Sequence, residues 1–308
     1  MAQDFRAIRF HEYGASDRLV LETIPRPALK ADEVLIEVHF AGVNPVDWKI
    51  RAGYLKDFMP VPLPFTPGID VSGIVADIGS GVTSLKKGQA VFGIANGGYA
   101  EYAVAKAADV VPKPDNLSFE LAATVPIGAL TAWKALEDAG IKSGQIVVVQ
   151  GAAGGVGLFA VQFARLKGAK VIGTASAGNA AFVKGLGAEK VVDYKKASVE
   201  SEIKDVDVVI DAVGGDALEK SYGLLKKGGT LVSVAGQVSE EKAKEHGIKA
   251  LGSGRGPAEL LKQIAEMLTK KSIRCEVGRI FPLAEAKAAQ DLSQTGHGRG
   301  RILLQVKK

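Results

Sequence analysis

Between residues 146 and 236 the chain alternates short, almost wholly apolar runs with amphipathic stretches: IVVVQ, GLFAVQFARLKG, AKVIGTA, NAAFVKGLG, KVVDY, DVDVVIDAV, ALEKSYGLLKKG and GTLVSVAG. No other feature restricts the fold as strongly. A strand that is apolar at nearly every position must be covered on both faces, and a parallel sheet flanked by helices does this. The order of the segments therefore specifies a doubly wound α/β unit. Its helices turn Lys167, Lys184, Lys226 and Lys227 toward solvent.

The first 125 residues read differently. FRAIRF, LVLETI, EVLIEVHFAG, GIDVSGIVADIG and AEYAVAKAADVVP are short strand candidates separated by Gly, Pro and Asp, as in a compact β-rich domain. Around TVPIGALTAWKALEDAG the pattern turns helical. Beyond Gly236, PAELLKQIAEMLTKK is a helix with Pro257 near its first turn. CEVGRIFPLAEAKAAQDL and GRGRILLQVKK then carry strand, helix and strand signals that are expected to return to the first domain. The 308 residues thus divide into a β-rich domain over 1–125, a parallel-sheet domain over 126–270 and a returning segment over 271–308.

Several function classes drop out on composition. A hydrophobic fraction of 47% and a charged fraction of 24% fit an ordinary soluble protein. MAQDFRAIRF becomes a strand almost at once and lacks the apolar core of a secretory leader. Residues 145–164 carry no charge, but their glycines mark a strand-turn-helix boundary, so a buried core is preferred to a membrane span. Cys275 is the only cysteine, which rules out an internal disulfide and a cysteine-rich zinc lobe; a cytoplasmic location is expected. The net charge of +5 comes from lysines interspersed with acids, as in SEIKDVD and SEEKAKEHG. Without a basic-aromatic array, nucleic acid is not an expected partner.

GAAGGVG, residues 151–157, follows IVVVQ directly and opens GLFAVQFARL. Gly151, Gly154 and Gly157 form a G-x-x-G-x-x-G pattern, with Gly155 and Val156 inside it. Missing β-carbons permit a tight turn and let a diphosphate approach amides at a helix N-terminus. The spacing departs from the usual G-x-G-x-x-G fingerprint, and alone such a cluster is as readily a packing device. The strand before it, the helix after it and the repeated units make it a nucleotide turn.

The next strand ends in VIGTASAGN, where a typical NAD site places an acid for the adenosine ribose. Thr174 and Ser176 offer hydroxyls instead, Asn179 lies nearby, and no carboxylate repels a 2′-phosphate. NADPH is the expected cofactor and NADH the alternative; an Arg or Lys clamp is missing from this stretch. Thr174 and Ser176 would serve equally as helix caps. DAVGG at 211–215 and VAGQ at 234–237 end later strands. Ligands in such sheets sit outside the carboxyl ends of strands, so Gly214, Ala235 and Gly236 are expected to make room for the nicotinamide half. Tyr194, closing KVVDY, is expected beside the adenine or ribose.

GVNPVDWKIRAGY, residues 42–54, is dense in polar side chains among aromatic and constrained ones and reads as a surface loop. Asn44 and Lys49 can donate hydrogen bonds. Tyr54 can supply a proton or orient a carbonyl, although a phenol of pKa about 10 is a weak acid. Lys49 would fix a cofactor phosphate or ribose, or stabilise negative charge developing on a carbonyl.

Taken together, AGVNPVDWKIRAGY, PGIDVSGIVADIGSGV, KKGQAVFG, GGYAEYAVAKAADVVPKP, IGALTAWKAL, GAAGGVG and GRGRILLQV carry a resemblance that spans essentially the whole chain. The chain resembles the zinc-free quinone oxidoreductase branch of the medium-chain dehydrogenase/reductase family, which includes zeta-crystallin-like quinone reductases and plant enone or alkenal reductases. That resemblance implies a GroES-like N-terminal catalytic domain, completed by the C-terminal tail, and a Rossmann cofactor domain, with the active cleft between them. It implies that Asn44 lines the nicotinamide side, that Lys49 contacts the cofactor ribose or amide, and that Thr131 lies near the nicotinamide. GGV at 154–156 would be the pyrophosphate turn. A homodimer is also implied.

Departures from the family pattern are specific. Some quinone reductases have tyrosine where Lys49 stands, and Tyr54 falls one position from another of their active-site tyrosines. Where relatives often place Lys or Arg against the 2′-phosphate, this chain has Gly178 and Asn179. Zinc-dependent alcohol dehydrogenases share the architecture, but Asn44 replaces their ligand cysteine and Ile69-Asp70 replaces their histidine-acid pair. No zinc or other metal is therefore expected. The implied reaction is hydride transfer from NADPH to a small-molecule quinone or to the β-carbon of an enone, with water or Tyr54 supplying the proton. The competing readings are a zinc-dependent alcohol dehydrogenase relative and an NADPH-binding structural or RNA-binding protein without turnover.

Overall fold

Strand β8 (Ile146–Gln150) shows how the apolar pattern becomes a core: Val147 and Val149 pack on one face of the sheet, Val148 on the other. Around it the computed structural model, which describes residues 4–196 and 198–307, builds three sheets. The first part of the chain supplies β1 (Phe5–Arg9), β2 (Val20–Ile24), β3 (Glu33–Val43), β4 (Asp70–Ile78), β5 (Ala90–Ile94), β6 (Tyr102–Lys106) and β7 (Val110–Pro112). Helix α1 (Pro45–Arg51) lies between β3 and β4, and α2 (Phe119–Ala123) and α3 (Pro126–Asp138) follow β7.

The second part alternates β8, α4 (Gly157–Leu166), β9 (Lys170–Ala175), α5 (Ala180–Gly185), β10 (Lys190–Asp193), α6 (Val199–Glu202), β11 (Val206–Asp211), α7 (Gly215–Ser221), β12 (Leu225–Ser233), α8 (Glu240–Glu245), β13 (Lys249–Gly252) and α9 (Leu260–Thr269). Its six strands are parallel in the order β10-β9-β8-β11-β12-β13, a Rossmann-type sheet. The order reverses beside β8, which places a crevice above its carboxyl end.

The tail forms β14 (Val277–Pro282), α10 (Ala286–Gln294) and β15 (Arg301–Gln305). β15 pairs antiparallel with β3, so the chain's end extends the first, GroES-like sheet in the order β14-β15-β3-β4-β5-β7. Three local expectations change. Residues 225–228, expected to close a helix with Lys226 and Lys227 on its solvent face, instead open β12. Residues 45–51 are a helix rather than a loop, with Asp47, Ile50 and Arg51 buried. α9 starts at Leu260, three residues after Pro257, whose carbonyl accepts the Leu260 N–H at 3.3 Å. Among the described residues no helix is long and apolar enough to cross a membrane.

Candidate functional site

The turn after β8 is held from beneath. Gly151 adopts φ +69°, and its N–H donates to Thr174 Oγ1 at 3.2 Å. That hydroxyl donates to Gln150 Oε1 at 2.7 Å. Thr174 is buried with both of its roles taken by the protein, so it clamps the turn rather than presenting a free hydroxyl to a ribose. The glycines then separate by purpose. A β-carbon on Gly157 would run into the Gly151 carbonyl oxygen, so Gly157 serves close packing, whereas one on Gly154 would meet only that oxygen, at 3.3 Å. Gly128 of α3 lets that helix approach the turn, because a β-carbon there would overlap the Gly155 carbonyl. Thr131, three residues on, shares that helix face and is largely buried.

The N–H groups of Gly155 and Val156 find no acceptor among the described residues, and no side chain caps the N-terminus of α4. Two free donors at the positive end of a ten-residue helix are suited to an anion. Beside them, Asp211 orders the ends of β11 and β12. Its Oδ1 accepts the N–H groups of Val213 and Gly214, both at 3.0 Å, and its Oδ2 accepts Ser233 Oγ–H at 2.7 Å. Ser233 Oγ in turn accepts Ala235 N–H at 3.3 Å and Gly236 N–H at 3.0 Å. Gly214, at φ +77°, thus stands against Ala235 and Gly236. These surfaces could hold the diphosphate and nicotinamide portions of a dinucleotide.

A second polar group lies where the first domain and the C-terminal segment meet this turn. Asn44 caps α1, with Pro45 following it, and its N–H donates to Asp47 Oδ2 at 2.7 Å. Asn44 is only 1% exposed, and its side chain is engaged at both ends. Nδ2 donates to Asp70 Oδ2 at 3.0 Å, while Oδ1 accepts from an Arg301 amino group at 2.6 Å. Arg301 also pairs with Asp70. Asn44 is therefore buried and positions its neighbours, instead of offering a free amide.

Electrostatics here are dominated by desolvation. Burial raises the Asp47 carboxyl to about 7, against hydrogen bonds from Asn44 and from Tyr99 Oη–H at 3.0 Å. Burial likewise pushes Asp70 upward, opposed by Arg301 and by hydrogen bonds from Asn44 and the Ile127 N–H. Tyr99 is held well above its usual range by burial and by Asp47. Arg301 joins the two halves: a β-carbon on Gly155 would lie 2.5 Å from its Cδ, and the Gly300 N–H donates to Ala153 O at 2.9 Å.

The remaining candidates are more open. Lys49 Nζ lies 5.8 Å from the Trp48 ring centroid. Tyr54, 66% exposed, sets its ring edge-on to Trp48 at 6.1 Å. Phe58 and Met59 extend this exposed apolar segment. Ser176 and Asn179 lie together, Asn179 Nδ2 donating to Ser176 Oγ at 3.3 Å, while Tyr194 is exposed just past β10. Sequence reading missed Gln150, Asp211, Ser233 and Arg301. It also passed over Asp47, although an N-P-x-D run is a helix-start signal.

Zinc does not suit this donor set. The positions where a thiolate and an imidazole would be needed hold Asn44 and Ile69, and the adjacent Asp70 carboxylate is paired with a guanidinium. Among the described residues no group of three His, Cys, Asp or Glu side chains could hold a metal ion.

Comparison with known proteins gives a consistent picture. Residues 30–115 match the alcohol dehydrogenase GroES-like domain, and residues 186–304 match the zinc-binding dehydrogenase domain. The chain is 34% identical to 2-methylene-furan-3-one reductase of Solanum lycopersicum, with 98% of this chain and 79% of that protein covered. It is 36% identical to the quinone oxidoreductase of Mus musculus, with 96% and 95% covered. Among solved structures, the quinone oxidoreductase of Coxiella burnetii superposes with a TM-score of 0.92 at 37% identity, covering 99% of this chain and 100% of that one.

Proposed function

The chain belongs to the quinone oxidoreductase branch of the medium-chain dehydrogenase/reductase family, and on that premise we propose that it is an NADPH-dependent, metal-independent reductase of quinones or α,β-unsaturated carbonyls. The observation that carries this reading is the uncapped pair of amides at Gly155 and Val156, set beside the buried network of Asn44, Asp70 and Arg301. The first supplies a diphosphate seat, and the second is a polar network already neutralised internally by Asp70 and Arg301.

When bound, the nicotinamide supplies the hydride. The protein's residues orient and polarise. Gly155 and Val156 hold the diphosphate, with the Arg301 side chain packed behind the turn. Gly214, Ala235 and Gly236 leave room for the ring, and Thr131 borders it. Lys49 reaches the ribose or amide, and Tyr54 or water delivers a proton to the enolate α-carbon or to the hydroquinone oxygen. The exposed apolar run at Tyr54, Phe58 and Met59 favours a hydrophobic acceptor. Reduction of a conjugated carbonyl develops its charge on an oxygen that hydrogen bonds can stabilise, so no Lewis acid is required. A homodimer belongs to the same proposal and is read by light scattering.

The test is NADPH oxidation by chelator-treated protein with a simple quinone and a simple enone. Turnover without metal supports the proposal. Tight NADPH binding with no turnover across a broad electrophile panel would instead favour a non-catalytic nucleotide-binding protein. Stoichiometric zinc that restores activity would overturn the metal-independent part.

A further inference from the structure

We propose that Arg299, carried on the C-terminal loop, recognises the 2′-phosphate of the cofactor and replaces the cation that the turn between β9 and α5 lacks. This rests on the NADPH reading above. A phosphate monoester is a near-dianion at neutral pH and is best held by a guanidinium fork. Ser176-Ala177-Gly178-Asn179 offers a hydroxyl and an amide but no charge. The space beside this turn is open, since a β-carbon on Gly178 would meet nothing within 4 Å.

The tail brings a cation to that space. Asn179 Nδ2, which donates to Ser176 Oγ, also lies 3.4 Å from Gly298 O as a donor. On the other side of Arg299, the Gly300 N–H is bonded to Ala153 O at 2.9 Å. Both flanking residues are therefore tied to the cofactor domain, one at the ribose turn and one at the glycine turn. Gly298 and Gly300 take φ +138° and +68°, backbone conformations that favour glycine, so the loop's course depends on its G-R-G sequence.

The guanidinium is oriented without being used up. It lies 5.1 Å from the centroid of Phe182, on the first turn of α5. Its Nε pairs with Glu276 Oε1 at 3.1 Å, while its side chain is 49% exposed. Its two terminal amino groups have no hydrogen-bond partner among the described residues. Those amino groups are the part of arginine that grips phosphate bidentately. Glu276 sets the orientation and, being negative, also limits the affinity.

The test uses the full chain with 2′,5′-ADP and 5′-AMP as calorimetric probes that differ only in the 2′-phosphate. Arg299→Ala should weaken 2′,5′-ADP by about tenfold or more, the loss of a charge-assisted contact. Affinity for 5′-AMP should stay unchanged. Arg299→Lys should recover part of the loss, and Glu276→Gln should tighten 2′,5′-ADP alone. The proposal is overturned if Arg299→Ala leaves the ratio of the two affinities as in the parent, if both probes weaken in parallel, or if the parent does not prefer 2′,5′-ADP. Failure of the broader functional reading looks different: the parent then binds neither NADPH nor NADH, or binds without turnover.

Discussion

Replacing Asp47 by Asn removes one titration from the middle of the buried network, and its effect on stability should depend on pH in a defined way. The folded carboxyl titrates near 7 rather than at its ordinary 3.8, chiefly because burial disfavours the charge. In the unfolded chain it returns to the ordinary value. Between these two points the folded state holds a proton that the unfolded state has lost, so stability falls as pH rises. The contribution is complete below about 3.8 and is lost by about pH 7. A gap of roughly three units at 1.36 kcal/mol each corresponds to about 4 kcal/mol. The amide introduced by Asp47→Asn would be neutral throughout and nearly isosteric, its oxygen still able to accept from the Asn44 N–H and the Tyr99 hydroxyl. Urea unfolding of parent and variant from pH 4.5 to 8 gives the difference directly, provided the m-values match. Carboxylates with lowered values, such as Asp77, Asp138 and Asp207, are common to both proteins and cancel. The variant should be relatively weaker at the acid end and gain on the parent through the window. Parallel stability curves would refute the reasoning, because Asp47 would then be ionised in the folded protein at every pH tested.

Gly154→Val should fold and lose NADPH affinity by about tenfold or more, because it fills the open face of the diphosphate seat. Gly157→Ala should instead lower stability by about 1–3 kcal/mol or more, since its methyl group meets backbone; thermal melts and cofactor titration of both variants separate the roles. Lys49→Met should weaken NADPH binding in fluorescence titration while leaving the melting temperature unchanged. Tyr54→Phe should reduce kcat on an enone without altering cofactor affinity, and quinone reduction should survive better, because water can protonate its oxygen. Unchanged steady-state kinetics in both variants would remove Lys49 and Tyr54 from the site.

The parallel sheet was legible because its information is local. Runs such as IVVVQ and DVVID alternate with helical stretches, and the strands from β8 to β11 and the second half of β12 announce themselves by apolar residues on both faces. β13 did not, since KALG is short, sits at the sheet edge and carries a lysine, leaving little apolar signal. Helix α1 hid for another reason: PVDWKIR buries Asp47 and Arg51 rather than an apolar stripe. Their burial depends on partners far away, with Arg51 bonded to Gln290 at 2.7 Å and to Gly14 O at 2.6 Å.

By itself, then, the sequence determined the α/β class, the glycine turn at the end of β8 and the absence of the cysteines that a structural zinc lobe needs. Those follow from periodicity, from missing β-carbons and from composition, which a linear reading contains. Only the tertiary structure decided that Asn44 is spent on Asp70 and Arg301, that the Thr174 hydroxyl is spent on Gly151 and Gln150, and that a tail arginine stands beside Phe182 near the turn between β9 and α5. Asn44 and Arg301 are 257 positions apart and meet because β15 pairs with β3. Whether a polar group is free, and how strongly it holds its proton, depends on the burial and charges supplied by every element packed around it.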